Sequence, residues 1–204
     1  MPKRLVVFVD YQNVYRGARS VFHDHSTSPH WDGQFHPGAL GNLIVKMSHD
    51  QHRVLHQVRM YRGLPHSTRD PKGYGAASRQ IAAWRKIPLV DVTTRPFRYP
   101  PDYPRSKAQE KGIDVQLALD FVMMAVRGQY DVGVLMSNDT DLRPALEQVA
   151  LLGTQTVEVA AWKPPSGPAL RLRLPGARIW CHLIDRVGYA AILDGTDYTQ
   201  RPQQ

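Results

Sequence analysis

Leu5-Val6-Val7-Phe8-Val9 is wholly apolar, rich in β-branched residues, and ends on Asp10. Such a run suits a strand buried on both faces, since a strand with one wet face would alternate in polarity. Val132-Gly133-Val134-Leu135-Met136 is a second run of this kind and leads into Ser137-Asn138-Asp139-Thr140-Asp141. Working outward, Val54–Tyr61, Leu89–Val92, Thr156–Trp162 and Arg178–Leu183 read as further strands. Helical spacing recurs between them, in Leu40/Leu43/Ile44/Met47, Ala77/Ile81/Trp84, Ile113/Leu117/Phe121/Met124 and Leu142/Leu146/Val149. The second of these helices is expected after Pro71-Lys72-Gly73 and before Pro88; the third closes near Gly128 and the fourth at Gly153.

Strand and helix thus alternate, which predicts an α/β fold with a mainly parallel sheet and helices on both faces. The order of strands is not readable from this pattern. Residues 16–37 are polar and His-rich and read as a long loop. Residues 93–109 hold Pro96, Pro100, Pro101 and Pro104 and read as a second loop, since prolines at that density exclude a helix or a central strand. One domain is expected over 1–193, with a frayed tail at 194–204.

The chain has 204 residues, with Lys+Arg 26 against Asp+Glu 18, a formal charge of +8. That surplus favours a polyanionic partner, nucleic acid first and an anionic membrane surface second. No apolar run approaches the ~20 residues of a membrane span. The start, Met1-Pro2-Lys3-Arg4, meets only a short apolar stretch, so no signal peptide is expected. The single cysteine, Cys181, excludes an internal disulfide framework and a Cys-based zinc finger, and fits a reducing, cytoplasmic compartment.

Acids stand where an α/β sheet binds ligands, beyond the carboxyl ends of strands. Asp10 follows the first run, with Asn13 three residues on; Asp139 and Asp141 follow the Val132–Met136 run; Asp114 opens the long helix in Glu110-Lys111-Gly112-Ile113-Asp114. Each has an ordinary explanation: Asp10 and Asp141 as turn or cap residues, Asp114 as a first-turn helix acid. Converging on one edge, they would repel one another and call for a cation. An oxygen-only set suits Mg²⁺ or Mn²⁺, which activate water and stabilise the leaving oxygen in phosphodiester hydrolysis.

Phe8-Val9-Asp10-Tyr11-Gln12-Asn13, Lys111-Gly112-Ile113-Asp114 and Ser137-Asn138-Asp139-Thr140-Asp141-Leu142 resemble the three motifs of the NYN domain family, LabA-like members of the PIN-like nuclease superfamily. The resemblance spans roughly residues 4–162. It implies a Rossmann-like three-layer α/β/α sandwich and metal-dependent ribonuclease activity leaving a 5′-phosphate and a 3′-hydroxyl. By position, Asp10, Asp114 and Asp139 would bind the metal, with Asp141 as a fourth, water-mediated ligand. Asn13 would orient the first acid or the scissile phosphate, Ser137 would support the cluster through a hydrogen bond, and Lys111 would contact phosphate. A homodimer extending the basic groove is also compatible with such folds.

Arg95, Arg98, Arg105 and Lys107 alternate with Phe97, Tyr99 and Tyr103, a pattern that suits unpaired RNA: cations for phosphates, rings for bases. The alternative is a stiff loop whose rings pack inward. Arg16, Arg19, Lys72 and Arg79 are further candidate phosphate contacts or ordinary surface charges. His23, His25, His30 and His36 match no zinc spacing and read as a polar loop. Cys181 reads as core. A P-loop, a dinucleotide fingerprint and a nucleophile elbow are absent from the sequence. Gln12 stands where dehalogenase-type phosphatases carry a second Asp. The main reading is therefore a metal-dependent ribonuclease; a non-catalytic RNA- or partner-binding module and a DNA nuclease are the other two.

Overall fold

The computed structural model describes residues 1–24 and 27–200. Its elements run β1 (Lys3–Asp10), α1 (Tyr11–Phe22), α2 (Pro37–Lys46), β2 (Arg53–Leu64), α3 (Pro71–Trp84), β3 (Val90–Pro96), α4 (Ile113–Val126), β4 (Val132–Met136), α5 (Arg143–Leu152), β5 (Thr156–Trp162), β6 (Trp180–Ile184) and α6 (Arg186–Ile192). The strands form one six-stranded sheet in the order β3-β2-β1-β4-β5-β6. All neighbouring pairs are parallel. The chain therefore winds outward in one direction from β1 and, after α4, in the other from β4.

Two cores sandwich the sheet. Tyr11, Val14, Leu40, Ile44, Ile81, Trp84, Tyr189 and Ile192 from α1, α2, α3 and α6 cover one face. Ile113, Leu117, Phe121, Leu146 and Val149 from α4 and α5 cover the other. This is the expected three-layer α/β/α sandwich. The apolar runs sit at its centre: Leu5 to Val9 are fully buried, split between the two cores by the period-2 alternation of a strand.

The sequence reading of several elements needs correction. Residues 16–22 are not loop but the continuation of α1, whose core stripe is only Tyr11, Val14, Ala18 and Phe22. Helix α3 begins at Pro71, because Asp70 Oδ1 accepts the Gly73 N–H at 2.8 Å and so caps it. Thr93–Pro96 belong to β3, a sheet-edge strand, where a terminal proline is tolerated. Helix α6 was not foreseen; Asp185 caps it by accepting the Gly188 N–H at 3.0 Å.

Residues 194–200 fold back along the domain. Arg79 donates to the carbonyls of Tyr198 (2.7 Å) and Thr199 (3.0 Å), and His30 meets Asp197 at 2.9 Å. The rest of the expected tail, 201–204, lies outside the described residues, as does His25 of the histidine segment. The remaining histidines there serve separate ends: His23 contacts Asp32 and Tyr189, and His36 caps α2. Among the described residues, no helix is long and apolar enough to cross a membrane.

Candidate active site

Strand order reverses between β1 and β4, and the carboxyl ends of these two neighbours define where a crevice opens. Asp10 closes β1 and is buried at 6% exposure. Its Oδ1 accepts the Asn13 N–H at 3.3 Å, capping α1, and its Oδ2 accepts the Ser137 hydroxyl at 2.9 Å. Ser137 Oγ accepts in turn from the Asp139 N–H at 3.1 Å. Asp139 Oδ1 accepts the Asp141 N–H at 3.0 Å and caps the 3-10 turn Thr140–Leu142 that leads into α5. The ordinary and functional readings of these acids are thus compatible. The hydrogen bonds that cap the helices also fix the carboxylates at the crevice.

Asn13 pairs with Asn138 rather than with an acid. Its Oδ1 accepts the Asn138 N–H at 2.9 Å and its Nδ2 donates to Asn138 Oδ1 at 2.6 Å. Asp114 lies in the first turn of α4, after Gly112, whose φ of 78° is a left-handed conformation that favours glycine. The N-terminal helix dipole there favours a negative charge.

These residues line a cleft of about 740 Å³ that includes Asp10, Asn13, Arg16, Glu110, Asp114 and Asp139. Asp141 is exposed on the 3-10 turn outside this lining, and Ser137 is buried beneath it. Among the proposed substrate contacts, Arg16 lines the cleft. Arg95, Arg98, Arg105, Lys107 and Lys111 are exposed outside it. The rings between them pack inward: Tyr99 accepts the His66 N–H at 2.9 Å and meets Tyr103 edge-on at 4.8 Å, with the Arg69 guanidinium 5.4 Å from its ring.

Two parts of the site escaped the sequence reading. Glu110 stands with the acids, held by the Gly63 N–H at 2.7 Å. A Cβ on Gly63 would collide with both Phe97 and Glu110, so the missing side chain lets this carboxylate reach the end of β2. The signal was present, because Glu110 belongs to the segment that carries Asp114. The second part is the far wall, formed by Trp162, Pro164, Pro165, Ser166, Pro168 and Leu170, which no motif marks.

The electrostatics are those of crowded carboxylates. Burial and then the Asp114 charge push Asp10 up to about 7. Burial raises Asp114, with Asp139 and Asp141 adding to it, and burial and Asp114 raise Glu110 against the opposing Gly63 hydrogen bond. An all-oxygen set that resists its own ionisation fits a hard divalent cation in chemical character. Among the described residues, no three His, Cys, Asp or Glu side chains form a ready-made ligand group. Mg²⁺ and Mn²⁺, which keep several of their own waters, tolerate such partial protein coordination.

The sequence model of the NYN domain matches residues 4–173. No curated protein matches the chain. Among solved structures, a protein of unknown function from Vibrio parahaemolyticus RIMD 2210633 is similar at 20% identity and a TM-score of 0.51, over 78% of this chain and 81% of that one. At that identity the likeness concerns the fold.

Proposed function

The chain belongs to the NYN domain family, and from that premise we propose that it is a ribonuclease that hydrolyses phosphodiester bonds in the acid cleft with Mg²⁺ or Mn²⁺. Fold and family make it a PIN-like, nuclease-type domain. One observation carries the finer reading: Asp10, Glu110, Asp114 and Asp139, from three segments of the chain, open on one cleft, where burial and neighbouring carboxylates raise the proton affinity of Asp10, Glu110 and Asp114. Carboxylates kept together at such a cost are characteristic of functional sites.

Asp10, Asp114 and Asp139 would hold the ion, with Glu110 and Asp141 adding negative charge around it. Bound there, a divalent cation neutralises the carboxylates and the substrate phosphate and supplies an activated water for in-line attack. The chain's own residues do the positioning. Ser137 ties Asp10 to the Asp139 backbone, and the Asn13–Asn138 pair ties α1 to the same segment. Arg16 is the cation in the cleft lining for a substrate phosphate, and the net charge of +8 gathers a polyanion from a distance. The exposed cations at 95–107 extend this attraction beyond the cleft and favour single-stranded RNA.

The test is cleavage of a labelled single-stranded RNA with Mn²⁺, with Mg²⁺ and with EDTA, comparing wild type with Asp139→Asn. The expected result is metal-dependent cleavage that the substitution abolishes. Salt-sensitive binding by both proteins without cleavage would replace the enzyme by a binding module. Equal cleavage of the 2′-deoxy strand would make it a nuclease indifferent to the sugar.

A further inference from the structure

A smaller cavity of about 170 Å³ adjoins the acid cleft, with Gln12 lining both. It lies against α1 and α3, with Tyr198 and Thr199 of the returning chain also in its lining. Arg62 lines it, one residue beyond Tyr61, the parallel partner of Asp10 across the β1–β2 ladder. With strands ~4.8 Å apart and a rise of ~3.3 Å per residue, the Arg62 backbone is only about 6 Å from that of Asp10.

Strand alternation turns Arg62 to the face away from Tyr61, towards α1 and α3. There its guanidinium lies 4.8 Å from the Tyr11 ring centre and 5.7 Å from that of Trp84. One Nη donates to Gln80 Oε1. The buried Nε has no hydrogen-bond partner. Arg62 forms no ion pair among the described residues, and Glu110, the acid that acts on it, is bound to the Gly63 N–H. Tyr11 Oη accepts from Gln80 Nε2 at 3.0 Å, which leaves its own proton free to donate.

A cation withdrawn from water without a counter-ion is costly unless a partner arrives. Here a guanidinium with an unpaired N–H and a hydroxyl donor belong to two residues that line a cavity of anion size. We propose that this cavity is a subsite for one phosphate group of the nucleic-acid strand, held by Arg62 with Tyr11 Oη as a further donor. The inference rests on reading the adjoining cleft as the site of phosphodiester chemistry, and it places a neighbouring phosphate of the same strand beside α1. Guanidinium suits this role because two parallel N–H groups match two phosphate oxygens. An internal phosphodiester and a terminal phosphate share that chemistry.

The test uses the full chain in EDTA, so that binding is read without turnover. A 3′-labelled RNA carrying either a 5′-phosphate or a 5′-hydroxyl is titrated against wild type, Arg62→Gln and Arg62→Lys, at several salt concentrations. Arg62→Gln is expected to weaken binding about tenfold and to reduce the salt slope by ~0.7, one phosphate contact on a single strand. Arg62→Lys should keep the slope and lose a few-fold in affinity. A loss confined to the 5′-phosphorylated strand assigns a terminal phosphate, and a loss on both strands an internal one. Unchanged affinity and slope in Arg62→Gln overturn the proposal.

Should Arg62→Gln fail to fold, wild type decides. Inorganic phosphate is added while the Arg62 Nε–Hε resonance, assigned by its loss in Arg62→Lys, is followed by NMR. A saturable shift supports the subsite, and an unmoved resonance overturns it. This readout needs neither RNA nor cleavage, so its failure is separate from a failure of the nuclease reading.

Discussion

Asn13 and Asn138 hold each other through two hydrogen bonds, at 2.9 and 2.6 Å, across the junction of β1 and β4. One belongs to the first turn of α1 and the other sits between Ser137 and Asp139. Asn13 is thus a positioning residue for the segment that carries Asp139. Asn13→Ala strips the Asn138 N–H of its acceptor, at a cost of about 1–2 kcal/mol in stability. Cleavage is expected to fall at least tenfold through kcat, with KM for RNA little changed. A double-mutant cycle with Asn138→Ala should return a coupling of about 1 kcal/mol; strictly additive losses would mean that the two side chains act independently.

Asp10 couples stability to pH in the direction opposite to a salt-bridged acid. Burial, then Asp114, push it up to about 7 from an ordinary value of 3.8. The folded state therefore holds this proton more tightly than the unfolded chain. Stability falls as pH rises from about 4 to 7, by on the order of 4 kcal/mol in total, and does not recover above. Asp10→Asn removes that penalty. In melts with EDTA, the variant should exceed wild type in Tm at pH 8, and the difference should shrink towards pH 4. Mn²⁺ should raise the Tm of wild type at pH 8 and leave the variant unmoved. A difference that does not change with pH would contradict this account.

The legibility of these features follows from how much physics a few residues carry. The β1 and β4 runs are apolar on both faces, so a buried parallel sheet follows from them directly. Helix α1 is not legible in the sequence. Its stripe of Tyr11, Val14, Ala18 and Phe22 is interrupted by Arg16, Arg19 and Ser20, which face the cleft or grip the adjoining loop. Residues serving the site dilute the pattern that would reveal their helix. Asp10, Asp114 and Asp139 stand out as candidates because they follow strands or open a helix. Glu110 was passed over because its place depends on a glycine in another strand, a pairing that no local pattern encodes. Strand order was likewise invisible, since it is set by contacts between segments far apart in the chain.

Glu110 is held by a single backbone hydrogen bond, which a glutamine can also accept. Glu110→Gln should therefore fold with a Tm near that of wild type while removing one negative charge beside Asp114. If the carboxylate belongs to the reacting centre, cleavage should fall at least tenfold, and the Mn²⁺ concentration needed for half-maximal activity should rise. If Glu110 only tethers the loop before α4, both quantities will stay at their wild-type values.

Away from the cleft lining, Arg53 of β2, Glu158 of β5 and His182 of β6 form a buried polar group. Arg53 Nη1 reaches Glu158 Oε1 and Oε2 at 2.8 and 2.9 Å, and His182 Nε2 meets Oε2 at 2.8 Å. Burial pushes Glu158 up, but the bonds from His182 and Arg53 pull it below its usual value. A depressed carboxylate lends stability above its unfolded pKa and loses it as pH falls through the folded one. Glu158→Gln removes the buried counter-charge of Arg53, leaving Asp50 at 3.7 Å as its one acidic partner among the described residues, and should cost about 3 kcal/mol, read by urea denaturation at pH 7. Wild type and variant should converge in stability as pH falls through the folded-state pKa of Glu158. Cleavage per folded molecule should be unchanged, because none of these side chains lines the cleft.

The 97–112 loop separates two roles that its sequence interleaves. Arg98, Arg105 and Lys107 are exposed. Tyr99 instead packs on Tyr103 and Arg69 and accepts the His66 N–H. If the cations follow the RNA backbone, Arg98→Gln and Arg105→Gln should each lower the salt slope of binding by ~0.7 while leaving Tm in place. If Tyr99 anchors the loop, Tyr99→Ala should lower Tm by a few degrees, whereas Tyr99→Phe, which keeps the ring and loses only the acceptor, should cost about 1 kcal/mol. Stacking on bases predicts a different outcome: Tyr99→Ala would lose ~1–3 kcal/mol of RNA binding with Tm unchanged. Measuring Tm and affinity on the same variants therefore tells whether this loop holds the strand by charge alone or by charge and ring together.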